Sequence, residues 1–304
     1  MEGYSVSHVF RGLMCFVNGP SAQIYNTTTR QLVVLPKIEE SKIIPEDHKK
    51  KNIMYHIGHD SIHDQYKVIC TVSRPDEVGK FITFLSEHWV LLLGGDESSR
   101  WRKISSPCLP HFPLTQGLTI NGHMYYLAWV RLLYPVLVIF DISSEEISML
   151  QEPEDGSVWS HYYTDVIEYG GRVALLHHSD LGDKGEMELW VLENEEKNEW
   201  SKETLVLHSS QMDMVKMHIV NDMSLKVRGT TRNGEVILVP QNTYRTQTGN
   251  IIAEPHNTIV FYVFLYNIQE NHLRKVEIKE SSNPYLTKLW DVIGLDDIEN
   301  LMYL

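Results

Sequence analysis

Val138-Ile139-Phe140-Asp141, then Ile142 to Glu146, then Ile147 to Leu150: an apolar run reaches an Asp, crosses a polar turn and returns as a second apolar run. The same phrase occurs at Ala22-Gln23-Ile24-Tyr25-Asn26, Thr27 to Arg30, Gln31 to Leu35, and at Phe264-Leu265-Tyr266-Asn267, Ile268 to His272, Leu273 to Ile278. Looser copies run from Ile57-Gly58-His59-Asp60 to Tyr66–Val72 and from Leu189-Trp190-Val191-Leu192-Glu193 to Trp200–Leu207. One hairpin cannot bury its faces alone, so a repeated hairpin must stack on its copies. The phrase therefore predicts a repetitive β scaffold, an architecture suited to binding rather than catalysis.

Around these phrases, β-branched and aromatic residues cluster in short runs bounded by Asn, Asp and Gly, which reads as strand and turn. Asn121-Gly122, Asn233-Gly234, Gly170-Gly171 and Asn18-Gly19 mark further hairpins, because these residues tolerate the positive φ of tight turns. The pieces combine into units at Arg11–Ile38, Ile53–Ile104 (with a long insert at Ser73–Lys80), Gly117–Gln151, Asp165–His208 and Val215–Lys279, the last stretched by Gln241–His256, with a polar surface loop expected at Thr243–Asn257. Such spacing is near the ~40–50 residues of a four-stranded propeller blade. The expectation is an all-β, propeller-like ring of antiparallel blades, about six, formed by residues 1–304 as a single domain. Short helices are expected near the C-terminus, at Tyr285–Ile293 and Leu295–Tyr303.

The net charge of −13 works against partners that are themselves polyanions, so neither nucleic acid nor a membrane surface is expected. The apolar stretches Pro135–Phe140 and Ile259–Tyr266 are too short to span a bilayer as helices. Cys15, Cys70 and Cys108 are few, odd in number and far apart, which predicts no disulfide framework and a reducing compartment, cytoplasmic or nuclear.

Catalytic motifs are scarce. The sequence has no Gly-x-Ser-x-Gly and no phosphate-binding glycine loop. His56-Ile57-Gly58-His59-Asp60-Ser61-Ile62-His63-Asp64 gathers three imidazoles and two carboxylates, and His59 and His63 are the candidates for a metal. Against that stands an ordinary turn, with Asp60 and Asp64 bonding its backbone and the histidines exposed. His177-His178 reads as the start of an exposed loop. Cys15 and Cys70 lie in apolar strands and read as packing; Cys108 sits beside Pro107 with nothing adjacent to activate it. Trp159, Tyr162 and Tyr163 lie in a polar connection and are the candidates for contact with a partner protein. No cofactor is expected. The enzymatic alternative is a metal-dependent or carboxylate-based hydrolase on a propeller scaffold.

Seven phrases in order resemble the plant F-box-associated domain, type 3: Arg11-Gly12-Leu13-Met14-Cys15-Phe16; Ile24 to Gln31 with Leu35-Pro36-Lys37; Gly58 to Val68; Trp101-Arg102-Lys103-Ile104; Asn121-Gly122 to Trp129; Phe140-Asp141 with Ser144-Glu145; and Leu189 to Glu193 with Glu199-Trp200-Ser201-Lys202. They span about Arg11 to Leu207, and residues 208–304 match more weakly. The resemblance implies a non-catalytic module that captures a target protein, like the substrate-recognition part of an SCF-type ubiquitin ligase. In such proteins a helical F-box precedes the domain and docks a Skp-type adaptor of a cullin ligase. That segment is not found ahead of Arg11, so adaptor and cullin are not expected as partners. The first blade is expected to lack a strand unless the C-terminus supplies one.

Overall fold

The computed structural model describes residues 5–45, 51–78, 81–94, 100–105, 107–131, 134–151, 153, 163–219, 223–231, 233–245, 251–254 and 261–278. They form five antiparallel sheets, each built around a four-stranded path, and one helix. The chain divides into two compact units: Met1–Asp155 with Asn194–Glu199, and Gly156–Glu193 with Trp200–Leu304.

The first unit holds three sheets. Sheet 1 runs β1 (Ser5–Phe10), β2 (Leu13–Asn18), β3 (Ser21–Asn26) and β4 (Leu32–Val34). Sheet 2 runs β5 (Asn52–Asp60), β6 (Gln65–Val78), β7 (Phe81–Leu92) and β8 (Arg102–Lys103). Sheet 3 opens with the short β9 (Phe112–Pro113), then runs β10 (Leu118–Ile120), β11 (His123–Arg131), β12 (Tyr134–Asp141) and β13 (Ile147–Gln151), with β9 paired to β11. Sheet 2 is buried on both faces, and its period-two alternation shows how. Val68, Cys70, Val72, Trp89 and Leu91 join a core with Cys15 and Ile24 of sheet 1. The intervening Ile69 and Val90 join a second core with Met124, Tyr126 and Phe140 of sheet 3. Gly58 permits the close approach of the second interface, since a Cβ there would stand 2.6 Å from Ile142 Cδ1.

The second unit holds sheet 4, β14 (Thr164–Tyr169), β15 (Arg172–His177), β16 (Glu186–Asn194) and β17 (Glu199–Val206), and then helix α1 (Ser209–His218). Sheet 5 follows: β18 (Met223–Thr230), β19 (Val236–Arg245), β20 (Ile251–Glu254), β21 (Phe261–Asn267) and β22 (His272–Ile278), with β20 paired to β19 beside the main path. Helix α1 buries Gln211, Met212 and Val215 on one side. The Gln211 side chain accepts from the His208 N–H (2.7 Å) and donates to the Asn271 carbonyl (2.8 Å), tying the first turn of the helix to the last hairpin.

The repeated phrase has one stereochemical core in all five sheets. Side-chain oxygens of Asn26, Asp60, Asp141, Asn194 and Asn267 accept from backbone N–H groups two or three residues on, at 2.8–3.2 Å. The residue four places after each adopts positive φ: Arg30 (59°), Asp64 (50°), Glu145 (62°), Asn198 (52°) and Asn271 (46°). A second set of turns, at Arg11-Gly12, Asn121-Gly122 and Gly170-Gly171, places both central residues at positive φ, the type I′ pattern.

The all-β class and five units near the expected boundaries hold. Several details differ. Five blade-like sheets are described rather than about six. Sheet 1 is complete, with four strands drawn from residues 5–34. The Ser73–Lys80 insert extends β6 and β7, which pair as far as Val78 and Phe81. Part of the expected polar loop at 243–257 is strand, where β19 pairs β20 from Asn242↔Glu254 to Arg245↔Ile251. The expected helices at 285–293 and 295–303 lie outside the described residues, whereas α1 falls where none was expected.

Candidate binding cleft

On the first unit, where sheet 2 meets sheet 3, two of the Asx turns face each other. Ser143, in the turn after β12, donates to Asp60 Oδ1 at the end of β5 (2.9 Å). Between the turns stands Lys67 of β6. Its Nζ donates to the Ile142 carbonyl (2.8 Å) and pairs with Asp60 Oδ2 (3.0 Å) and Glu145 Oε1 (3.1 Å). Arg102 of β8 adds a second cation on Glu145. The Asp60 side chain is fully buried. Burial alone would raise its pKa, but hydrogen bonds from His63, Lys67 and Ser143 prevail and hold the carboxyl well below the usual range.

This clamp forms the wall of a cleft of about 420 Å³. Its lining also includes His63, Arg100 and Arg102, with Val90 and Leu92 as apolar members. The Arg102 side chain is 62% exposed. Arg100 is exposed and forms no hydrogen bond or ion pair with another described residue. Asp60 and Glu145 are both committed to cations, so the cleft presents an internally neutralised polar wall beside Arg100, which has no ionic partner among the described residues. Both carboxylates are engaged by cations and hydrogen bonds within the wall.

The two histidines that the sequence nominates for a metal are not brought to a common point. His59 Nε2 pairs with Asp64 Oδ1 (3.0 Å) and its ring lies on Tyr66, with centroids 4.7 Å apart. His63 Nδ1 pairs with Asp60 Oδ2 (2.9 Å). His56, expected in an exposed turn, is instead fully buried within β5, stacked on Tyr126 (5.6 Å) and edge-on to His8 (5.5 Å). His178, expected on an exposed loop, is also buried, and its Nε2 meets Asp165 Oδ2 at 3.1 Å. Lys226 of β18 reaches the same oxygen (2.7 Å), a D-to-K tie between sheets 4 and 5. Tyr163 is partly buried, its ring edge-on to His178 (5.9 Å) and its carbonyl accepting the His178 N–H (2.8 Å). Trp159 and Tyr162 lie outside the described residues.

Sequence reasoning did not find the Lys67–Asp60–Glu145 clamp. Its members are 83 positions apart at the Asp60–Ser143 bond. The available signal was the repeat itself: two copies of one turn, stacked, place their acidic residues side by side.

A repeated four-stranded antiparallel unit defines a propeller-type domain. The comparisons agree. A family described as "F-box associated beta propeller domain" matches residues 1–297. Two Arabidopsis thaliana proteins match the whole chain: the F-box/kelch-repeat protein At4g19930 at 62% identity, over 68% of its own length, and the F-box protein At4g19940 at 57%, over 69%. The F-box/LRR-repeat protein At2g40920 of the same plant is 37% identical across the whole chain and 67% of its own length. The chain belongs to the F-box associated β-propeller family.

Proposed function

We propose that this domain is the target-recognition part of an F-box-type receptor, a non-catalytic module that holds a protein substrate for an SCF-type ubiquitin ligase. The cleft beside Lys67 carries the reading: its acids are neutralised in place, Glu145 in part by Arg102, while Arg100 is offered outward. Relatives named as F-box proteins that match along the entire chain support the same assignment. Target binding alone is assigned to this domain; contact with a Skp-type adaptor and a cullin belongs to an F-box. A protein working in that system acts in the cytoplasm or nucleus, which suits three cysteines present as free thiols. No helix among the described residues is long and apolar enough to cross a membrane.

The test is comparative affinity capture from plant extract, with wild type beside an Arg100→Glu variant of unchanged melting temperature. A target recovered by wild type and depleted at least tenfold by the variant supports the reading. Equal recovery by both removes the cleft from recognition. Hydrolytic turnover by the pure protein, lost on changing Asp60 or Glu145, would establish the enzymatic alternative instead.

A further inference from the structure

A different cluster on the first unit has the chemistry of a metal site. His88 lies on β7, His111 immediately precedes β9, and both are buried; Cys108 is half-buried beside them. One ligand atom from each of the three lies within 4.8 Å of the other two, the only such group among the described residues. We propose that His88, Cys108 and His111 bind a zinc ion that staples the Cys108–His111 stretch onto sheet 2.

Two imidazoles and a thiol are the ligand types zinc favours, and a tetrahedral site places such atoms roughly 3.3–3.8 Å apart. Closing this cluster on an ion therefore requires an inward movement of about 1 Å. The side chains are held so as to permit it. His88 contacts the Thr71 and Ser86 hydroxyls only at 3.3 and 3.4 Å, long contacts that give way readily. His111 is oriented as a ligating histidine is: its Nδ1–H donates to the Leu109 carbonyl (3.0 Å), which leaves Nε2 with the lone pair. That Nε2 accepts from the Tyr126 hydroxyl (2.7 Å), a hydrogen bond that an ion taking the lone pair displaces. The two imidazole rings are stacked, with centroids 4.8 Å apart and planes 19° from parallel, so ligation also requires one ring to rotate toward the ion. Binding displaces the proton of the Cys108 thiol. The partial exposure of Cys108 supplies an entry path.

The site is independent of the recognition cleft, and its test leaves target binding aside. Untagged full-length chain is stripped with chelator, loaded with zinc, passed through a desalting column, and assayed for metal and for melting temperature. One zinc per chain is expected, with a melting temperature several degrees above the stripped protein that falls back on chelation. Loading with Co²⁺ should give a thiolate-to-metal charge-transfer band that Cys108→Ser abolishes and His59→Ala leaves intact. Cys108→Ser changes one half-buried atom, and its melting temperature without metal should match stripped wild type. Zinc far below one per chain with no thermal shift overturns the proposal, as does a cobalt spectrum unchanged by Cys108→Ser.

Discussion

Lys67 is the residue on which the first unit's second interface depends. Its ammonium joins the Asp60 carboxylate, the Ile142 carbonyl and Glu145, with the Lys67 side chain only 10% and Glu145 13% exposed. Removing one member of a buried ionic cluster leaves its partners charged, desolvated and unpaired, which costs about 3–5 kcal/mol. Lys67→Met keeps the apolar stem and removes the charge, so denaturant unfolding should show a loss of that order. Lys184→Met, which breaks the exposed pair with Asp180, should unfold like wild type. At this scale the sequence was least legible. His56 and His178 stand in polar-looking strings and read as surface, yet both are buried. What buries them, Tyr126 and His8 for one and Asp165 for the other, is distant in the chain, and no local pattern reports it.

Among the elements, the hairpins were legible because their chemistry is local. Asn121-Gly122 accepts two positive φ values, and each Asn or Asp that ends an apolar run bonds its own turn. The fifth position of that turn must also enter the left-handed region, which costs an L-residue roughly 1–2 kcal/mol relative to glycine, set against a loss of chain entropy near 0.5–1 kcal/mol. Sheets 4 and 5 place Asn there; sheet 1 places the exposed Arg30 at φ 59°. Arg30→Gly is therefore expected to stabilise by about 0.5 kcal/mol, seen as a small rise in denaturation midpoint with unchanged slope. Longer elements were harder to read. Arg74-Pro75-Asp76 looks like a loop but continues β6, with Pro75 opposite Phe84. Helix α1 buries one polar and two apolar residues, too sparse a stripe to stand out.

For the molecule as a whole, buried neutral histidines couple stability to pH. Burial lowers His8 to about 4, opposed only in part by its bond to the Gly117 carbonyl, and burial with the neighbouring His8 lowers His56 well below its ordinary value. Between about pH 6.5 and 4 the unfolded chain takes up protons that the folded chain refuses, so stability falls as pH falls through that window, by up to about 1.4 kcal/mol per pH unit for each such group. Asp60 and Asp165 also have depressed pKa values, and their loss of stability continues at lower pH. Melting temperature should therefore drop steadily from pH 7 to pH 4. A flat profile would mean that His8 and His56 accept protons in the folded state.

Recognition through the cleft is the central claim, and site-specific photo-crosslinking tests it most directly. A photoreactive amino acid replaces Gln65 in the cleft of one protein and the exposed Met217 of α1 in another, and both are irradiated in plant extract. One discrete protein adduct is expected from position 65, competed away by unlabelled wild type but not by the Arg100→Glu variant. An adduct arising only from position 217, or one that the variant competes equally well, would contradict it.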